Sequence, residues 1–153
     1  MAVATTQTPR VFPVLLVNFI GMLGYSIIIP LLVFLVKRFG GNEVIYGIIG
    51  GIYPAFQLIG GPILGKWSDQ VGRKRILLLS QIGTFLAWLL FILALCLPVT
   101  PLAQVESSFL GSFLISVPLI ILILARALDG LTGGNVSVAN AYLSDISTEK
   151  DRK

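Results

Sequence analysis

Histidine is absent from this 153-residue chain, and Cys96 is its only cysteine. Without histidine the chain holds no Ser-His-Asp triad, no Cys-His pair and no histidine-based metal site, and a lone cysteine closes no internal disulfide. Cys96 therefore reads as packing rather than chemistry. Charge is also scarce: 12% of residues are charged, against about 25% in an ordinary soluble domain. Acidic residues number 7 against 11 basic ones, leaving a formal net charge of +4. Soluble-type catalysis has little to work with here, so the chain is not read as an enzyme, and neither cofactor nor metal is expected.

What fills the chain is apolar. Hydrophobic residues make up 56% of it, and the mean hydropathy is +0.93, so the natural solvent is the lipid bilayer. Four runs, Val11 to Val36, Val44 to Gly65, Ile76 to Leu97 and Val117 to Leu143, are long enough for a hydrocarbon core of about 30 Å, which needs about 20 helical residues. A membrane barrel would show alternating segments of about 10 residues, and these runs do not alternate. The expected fold class is an all-α membrane protein with four transmembrane helices. Residues 1–10 are expected as a cytoplasmic N-terminal segment, 11–146 as one membrane domain and 147–153 as a cytoplasmic link.

A pI near 9.5 invites a nucleic-acid reading, but the cations flank the apolar runs and are not interleaved with aromatics as on a nucleic-acid surface. They report orientation instead. One side receives Arg10, Lys66, Arg73, Lys74, Arg75, Lys150, Arg152 and Lys153, and the other only Lys37 and Arg38. The positive-inside bias then places both ends in the cytoplasm, in a multi-pass protein of the cell (inner) membrane. Tyr46, Trp67 and Tyr142 fall where interfacial aromatics are expected. The run after Arg10 is longer than a signal-peptide core and lacks a cleavage site, so helix 1 is expected to stay. Gly40, Gly41 and Asn42 predict a short outer turn, and Pro98 to Ser116 a longer, weakly polar outer loop with room for an interfacial helix.

Lipid supplies no hydrophobic drive between helices, so close approach depends on small residues. Gly47, Gly51 and Ala55 form one stripe on helix 2, continued by Gly61 and Gly65, and Gly133, Ser137 and Ala141 form one on helix 4. These stripes predict tight helix contacts. Pro30 and Pro54 remove hydrogen bonds inside helices 1 and 2 and predict bends.

Between the second and third runs lies a short basic loop, G-K-W-S-D-Q-V-G-R-K-R-I, from Gly65 to Ile76. Gly72 permits a positive φ, and Arg73 follows Asp69 at a spacing that allows pairing. Lys74 and Arg75 fit any cytoplasmic loop, whereas the glycines and the aspartate need another reason. Only the fourth run carries charge, Arg126 and Asp129. An arginine at a helix centre costs about 2.5–3.5 kcal/mol on insertion scales. Asp129, three residues on, can pair with it, so a structural ion pair and a functional one both remain open. Among neutral polar groups, Asn18, Gly21 and Tyr25 share a face of helix 1, Tyr53 and Gln57 one of helix 2, and Gln81, Thr84 and Trp88 one of helix 3. With Asn140 on helix 4, these line a cavity or simply bond between helices.

The loop resembles the signature between helices 2 and 3 of the major facilitator superfamily, G-x-L-A/S-D-R-x-G-R-R/K, matched by Gly65, Ser68, Asp69, Gly72, Arg73 and Lys74. Trp67 and Gln70 depart from it. A second signature, R-x-x-x-G on helix 4, is matched by Arg126 and Gly130. The wording from Gly24 to Pro30, the positions Tyr53, Gln57 and Pro62, and the segment A-Y-L-S-D-I-S are similar to tetracycline-efflux-like members. The resemblance implies two six-helix halves around a central cavity, of which this sequence would supply the first four helices and a link to a missing fifth. It also implies that Gly65, Asp69, Gly72, Arg73 and Lys74 form a conformational latch against the other half, and that Arg126 takes part in proton coupling. Asp129 and Gly130 are grouped with Arg126. That branch carries acids in helices 1 and 3 where Gly21 and Ala87 stand here, which leaves the coupling ion open. The expected function is the N-terminal part of a secondary transporter for a small amphiphilic solute, possible proton-driven drug efflux included. The alternative is a non-transporting four-helix subunit or scaffold docking on a partner membrane protein.

Overall fold

The computed structural model describes the backbone of residues 11–133 and the side chains of residue 16 and residues 19–133. Residues 1–10, the later part of helix 4 with Ser137, Asn140 and Ala141, and the 147–153 link lie outside the described residues, as does the side chain of Asn18. The elements run α1 (Val11–Arg38), α2 (Glu43–Val71), α3 (Arg73–Cys96), β1 (Pro101–Ser107), β2 (Gly111–Ser116) and α4 (Val117–Thr132). The described residues thus hold four helices, as expected, and a two-stranded hairpin. α1 from Phe19, α2 and α3 are each long and apolar enough to cross a bilayer. Phe34, Leu58 and Phe85 stand outward and exposed, as suits side chains that meet acyl tails rather than water.

Each helix begins and ends for a local reason. α1 is followed by a turn in which Gly40 takes φ +96°, and a Cβ there would also press on Leu114. Asn42 then caps α2: its side chain accepts the Ile45 N–H at 3.0 Å, and Glu43 in the first turn complements the helix dipole. Pro30, Pro54 and Pro62 all lie inside helices that continue through them. Ser116 caps α4, with Pro118 in its first turn, where the missing N–H has no intrahelical role.

Two segments differ from expectation. The stretch from Gly65 to Ile76 is not a loop: α2 runs on to Val71, α3 begins at Arg73, and Gly72 alone breaks the helix, at φ +103°. One glycine with positive φ suffices to turn the chain, because Ser68 and Asp69 stay helical and hold Arg73 from the preceding turn. The outer segment from Pro98 to Ser116 carries an antiparallel β-hairpin rather than an interfacial helix. Gly111 takes φ +72° at its turn, and Ser107 Oγ accepts the N–H groups of Phe109 and Leu110 at 3.3 Å. The hairpin is bound to the α1–α2 turn. Asn42 Nδ2 donates to the carbonyls of Leu110 at 2.6 Å and Ser112 at 3.1 Å, the Leu114 N–H donates to Gly40 at 2.8 Å, and Ser116 Oγ donates to Phe39 at 2.6 Å.

The core sits at the hairpin end, where Leu32, Val36, Ile49, Phe91, Leu119 and Leu122 interdigitate from all four helices. A smaller cluster of Leu64 and Ile76 lies at the Gly72 end. α4 packs closely on both α2 and α3, but not through the glycine stripe read from the sequence. Among the described residues Gly47, Gly51 and Gly65 have nothing within 4 Å of a would-be Cβ, and Ala55 is exposed, while Gly61 is buried. The close approaches are instead Gly60 on the Leu131 backbone, Gly83 on the Thr132 side chain, and Gly130 on Tyr53, whose carbonyl oxygen is 2.5 Å from a would-be Cβ. Gly133 does lie tight, 2.9 Å from the Tyr53 hydroxyl by the same measure. A spacing of four marks a helix face but does not say which neighbour that face meets.

Candidate functional site: a polar cleft beside a buried arginine

Between the two clusters the helices part and leave a cleft of about 660 Å³. α1 contributes Gly21 to Ser26, including Tyr25; α2 contributes Tyr53 and Gln57; α3 contributes Gln81, Thr84 and Trp88; α4 contributes Asp129 and Gly133. Tyr25, Tyr53, Gln57 and Gln81, singled out on faces of three separate helices, therefore share one space. Asn18 is in α1 by its backbone, one turn before Gly21, and Asn140 is outside the described residues.

The polar groups of this wall are held in place. Gln57 Nε2 donates to the Gly133 carbonyl at 2.9 Å and lies 3.5 Å from the Tyr53 hydroxyl, which satisfies a carbonyl at the end of α4. Ser80 Oγ donates to the Thr132 carbonyl, and Thr132 Oγ1 donates to Leu128 at 2.9 Å while lying 3.5 Å from Thr84 Oγ1. Trp88 is packed against Gly24, where a Cβ would fall 3.0 Å from the indole. These contacts fix the α2, α3 and α4 walls to one another.

Arg126 lies behind the cleft, 2% exposed. Its Nη1 is 3.9 Å from Asp129 Oδ2, one turn along α4. That is an ion pair, but too long for a hydrogen bond. The guanidinium carbon sits 4.7 Å from the centroid of the Tyr53 ring and 6.0 Å from that of Tyr25, and the two rings are 5.1 Å apart. Electron-rich ring faces offset part of the cost of burying the charge. This aromatic cushion escaped the sequence reading, which placed Tyr25 and Tyr53 as cavity polar groups only. Gly130, next to Asp129, is where α4 meets Tyr53, so a side chain there would push the pair away from the cushion.

At the Gly72 end, Asp69 and Arg73 form a short ion pair, Oδ1 to Nη1 at 2.6 Å, and Arg73 Nη1 also donates to Ser68 Oγ at 2.7 Å. Ser68 Oγ in turn donates to the Gly65 carbonyl at 2.6 Å. Gly65, Ser68, Asp69, Gly72 and Arg73 thus build one unit, while Lys74 is exposed beside it. The Asp69 side chain is 61% exposed despite its partner, so the unit presents a carboxylate outward.

Comparison with known proteins agrees with this architecture. The Major Facilitator Superfamily pattern matches residues 14–153. The chain is 30% identical over 141 residues to the class E tetracycline resistance protein of Escherichia coli, covering 90% of this chain and 29% of that protein. It is 30% identical to the class H tetracycline resistance protein of Pasteurella multocida, covering 91% and 30% respectively. Multidrug resistance protein 2 of Bacillus subtilis is 27% identical over 154 residues, with 99% of this chain and 33% of that protein covered. The chain spans about a third of the length of these relatives. No solved structure gives a significant match. On the two signatures, the membrane helices and a match across nearly its whole length, this chain belongs to the Major Facilitator Superfamily, a family of membrane transporters and not of enzymes.

Proposed function

We propose that these four helices are the N-terminal part of a secondary active transporter that moves a small amphiphilic solute by alternating access. The observation that carries this reading is the cleft, walled by polar side chains and aromatic rings and bordered by the Arg126–Asp129 pair. Fixed charges inside a membrane protein usually mark a substrate or ion pathway. The core at the hairpin end closes one side of the cleft, which suits a space open to one face at a time. Relatives named for tetracycline and multidrug resistance support an exported drug-like solute, and the paired charges support proton antiport through Asp129.

Orientation follows from charge. Lys66, Arg73, Lys74 and Arg75 gather at the Gly72 end, against Lys37 and Arg38 at the hairpin end, which supports a cytoplasmic Gly72 end and N-terminus. There the outward carboxylate of Asp69 latches to the remaining helices of the transporter. A latch acts only through contacts that differ between two states. The test is uptake of a labelled lipophilic drug into inverted vesicles. Tyr25→Ala and Gln81→Ala should each raise the solute's KM, and unchanged KM in both would remove the cleft from the pathway.

A second reading, a four-helix subunit or scaffold without transport, is favoured by one observation: Gly21 and Ala87 put no carboxylate on α1 or α3. The intact mass of the native protein against the 16.5 kDa of this chain separates the two readings. A mass of 16.5 kDa supports the subunit, and one two to three times larger supports the transporter.

A further inference from the structure

Arg126 carries two N–H groups, at Nε and Nη1, that are buried and have no hydrogen-bond partner among the described residues. Its neighbour Asp129 is at ion-pair distance but beyond hydrogen-bond reach, at 3.9 Å. A buried donor left unmet costs about 1–3 kcal/mol, more when charged, so an arrangement that orphans two of them in one side chain calls for a further acceptor. Beside them is a small space of about 10 Å³, separate from the cleft. Ile28, Ala87, Phe91 and Ala125 wall it on the apolar side, and Trp88 and Asp129 stand between it and the cleft. Its size is close to the threshold for a single water molecule, about 10–15 Å³ by the volume open to a water-sized sphere.

From these observations we propose that this space is a binding site for one ordered water, which accepts from Arg126 and donates to Asp129. The water has the partners a buried water needs, with donors on one side and a carboxylate on the other. It completes an ion pair that the side chains alone leave open. It also gives the pair a way to part: as Asp129 shifts towards the cleft, the water keeps the guanidinium solvated, so neither charge is stranded. The site does not depend on the transport reading and stands even if the chain transports nothing.

Two measurements on the intact protein in lipid nanodiscs decide the matter. In radiolytic labelling with H₂¹⁸O, Phe91 is the reporter, since it is 6% exposed and lines the small space but not the cleft. Hydroxylation of Phe91 well above that of the core residues Leu119 and Leu122, which are 2% and 0% exposed, and falling to their level in Ala87→Val, is the expected result; labelling of Phe91 at their level in the unaltered protein would overturn the proposal. The second measurement rests on a contrast between two variants. Ala87→Val adds two methyl groups, which overfill so small a space whether it is wet or dry, so its melting point should fall in either case. Ala87→Ser separates the cases: a hydroxyl that takes the place of a bridging water keeps hydrogen-bond partners, whereas one buried in a dry apolar void has none. Ala87→Ser should hold the melting point of the parent while Ala87→Val falls by about 2–4 °C, the scale of 1 kcal/mol at this size. A fall in Ala87→Ser as large as that in Ala87→Val would refute the site. Were Ala87→Val not to fold, the Phe91 labelling of the unaltered protein would decide alone.

Discussion

Gly60→Ala places a methyl group where α2 and α4 already touch. The new Cβ would meet the Leu131 carbonyl oxygen, with the carbonyl carbon at 2.8 Å and Cα at 2.9 Å, whereas ordinary contact begins near 3.4 Å. All three atoms belong to backbone, so no side chain can swing aside. The helices must separate by roughly 1 Å or more, which loosens the van der Waals contacts along the shared face. Overpacking of this kind costs about 1–3 kcal/mol. Gly51→Ala is the control: it adds the same methyl to the same helix with nothing within 4 Å among the described residues, and it should lie within about 0.5 kcal/mol of the parent. Unfolding midpoints in a graded detergent series, read by circular dichroism, measure both variants under one set of conditions. Equal midpoints would refute the packing described here, and a greater loss for Gly51→Ala would show that the stripe at Gly47, Gly51 and Ala55 is the true contact.

Further outcomes follow from the same structure. Asn42→Ala removes the cap on α2 and both bonds to the hairpin, so hydrogen exchange at Leu114 and Ile45 should quicken, with a stability loss of about 1–2 kcal/mol; unchanged exchange at both would mean the hairpin is held by other means. Asp69→Asn keeps the shape of the Gly72 unit but removes the carboxylate facing Arg73. In the protein as it occurs, this should abolish turnover while insertion and yield stay normal. Normal transport by a well-inserted variant would sink the latch.

Much of this architecture was legible because lipid imposes a simple rule: apolar length spells a spanning helix. The runs around Val11, Val44 and Ile76 follow that rule, and their ends moved by only a few residues, to Arg38, Glu43, Val71 and Arg73. The two signatures were legible for the opposite reason, since charge is costly in lipid and a glycine beside it marks a turn or a close contact. What was hidden depends on which helix meets which. The Gly60, Gly83 and Gly130 contacts belong to pairs of helices, and no period within one helix names its partner. The hairpin was hidden because its seven- and six-residue strands are short, and their register is set by Asn42 and Gly40, some 70 residues away. The cushion under Arg126 likewise draws Tyr25 and Tyr53 from two other helices. Gln57 could be placed on its face, but not the Gly133 carbonyl it caps.

The central claim is that the Arg126–Asp129 pair couples solute movement to protons across the cleft. The most direct measurement is solute-driven proton flux in liposomes holding the purified, intact protein and a trapped pH-sensitive dye, comparing the parent with Asp129→Asn. The account predicts that the parent moves protons when solute is added, while Asp129→Asn gives the trace of empty liposomes and still binds the solute. Full proton flux in Asp129→Asn would contradict it and take coupling away from this pair.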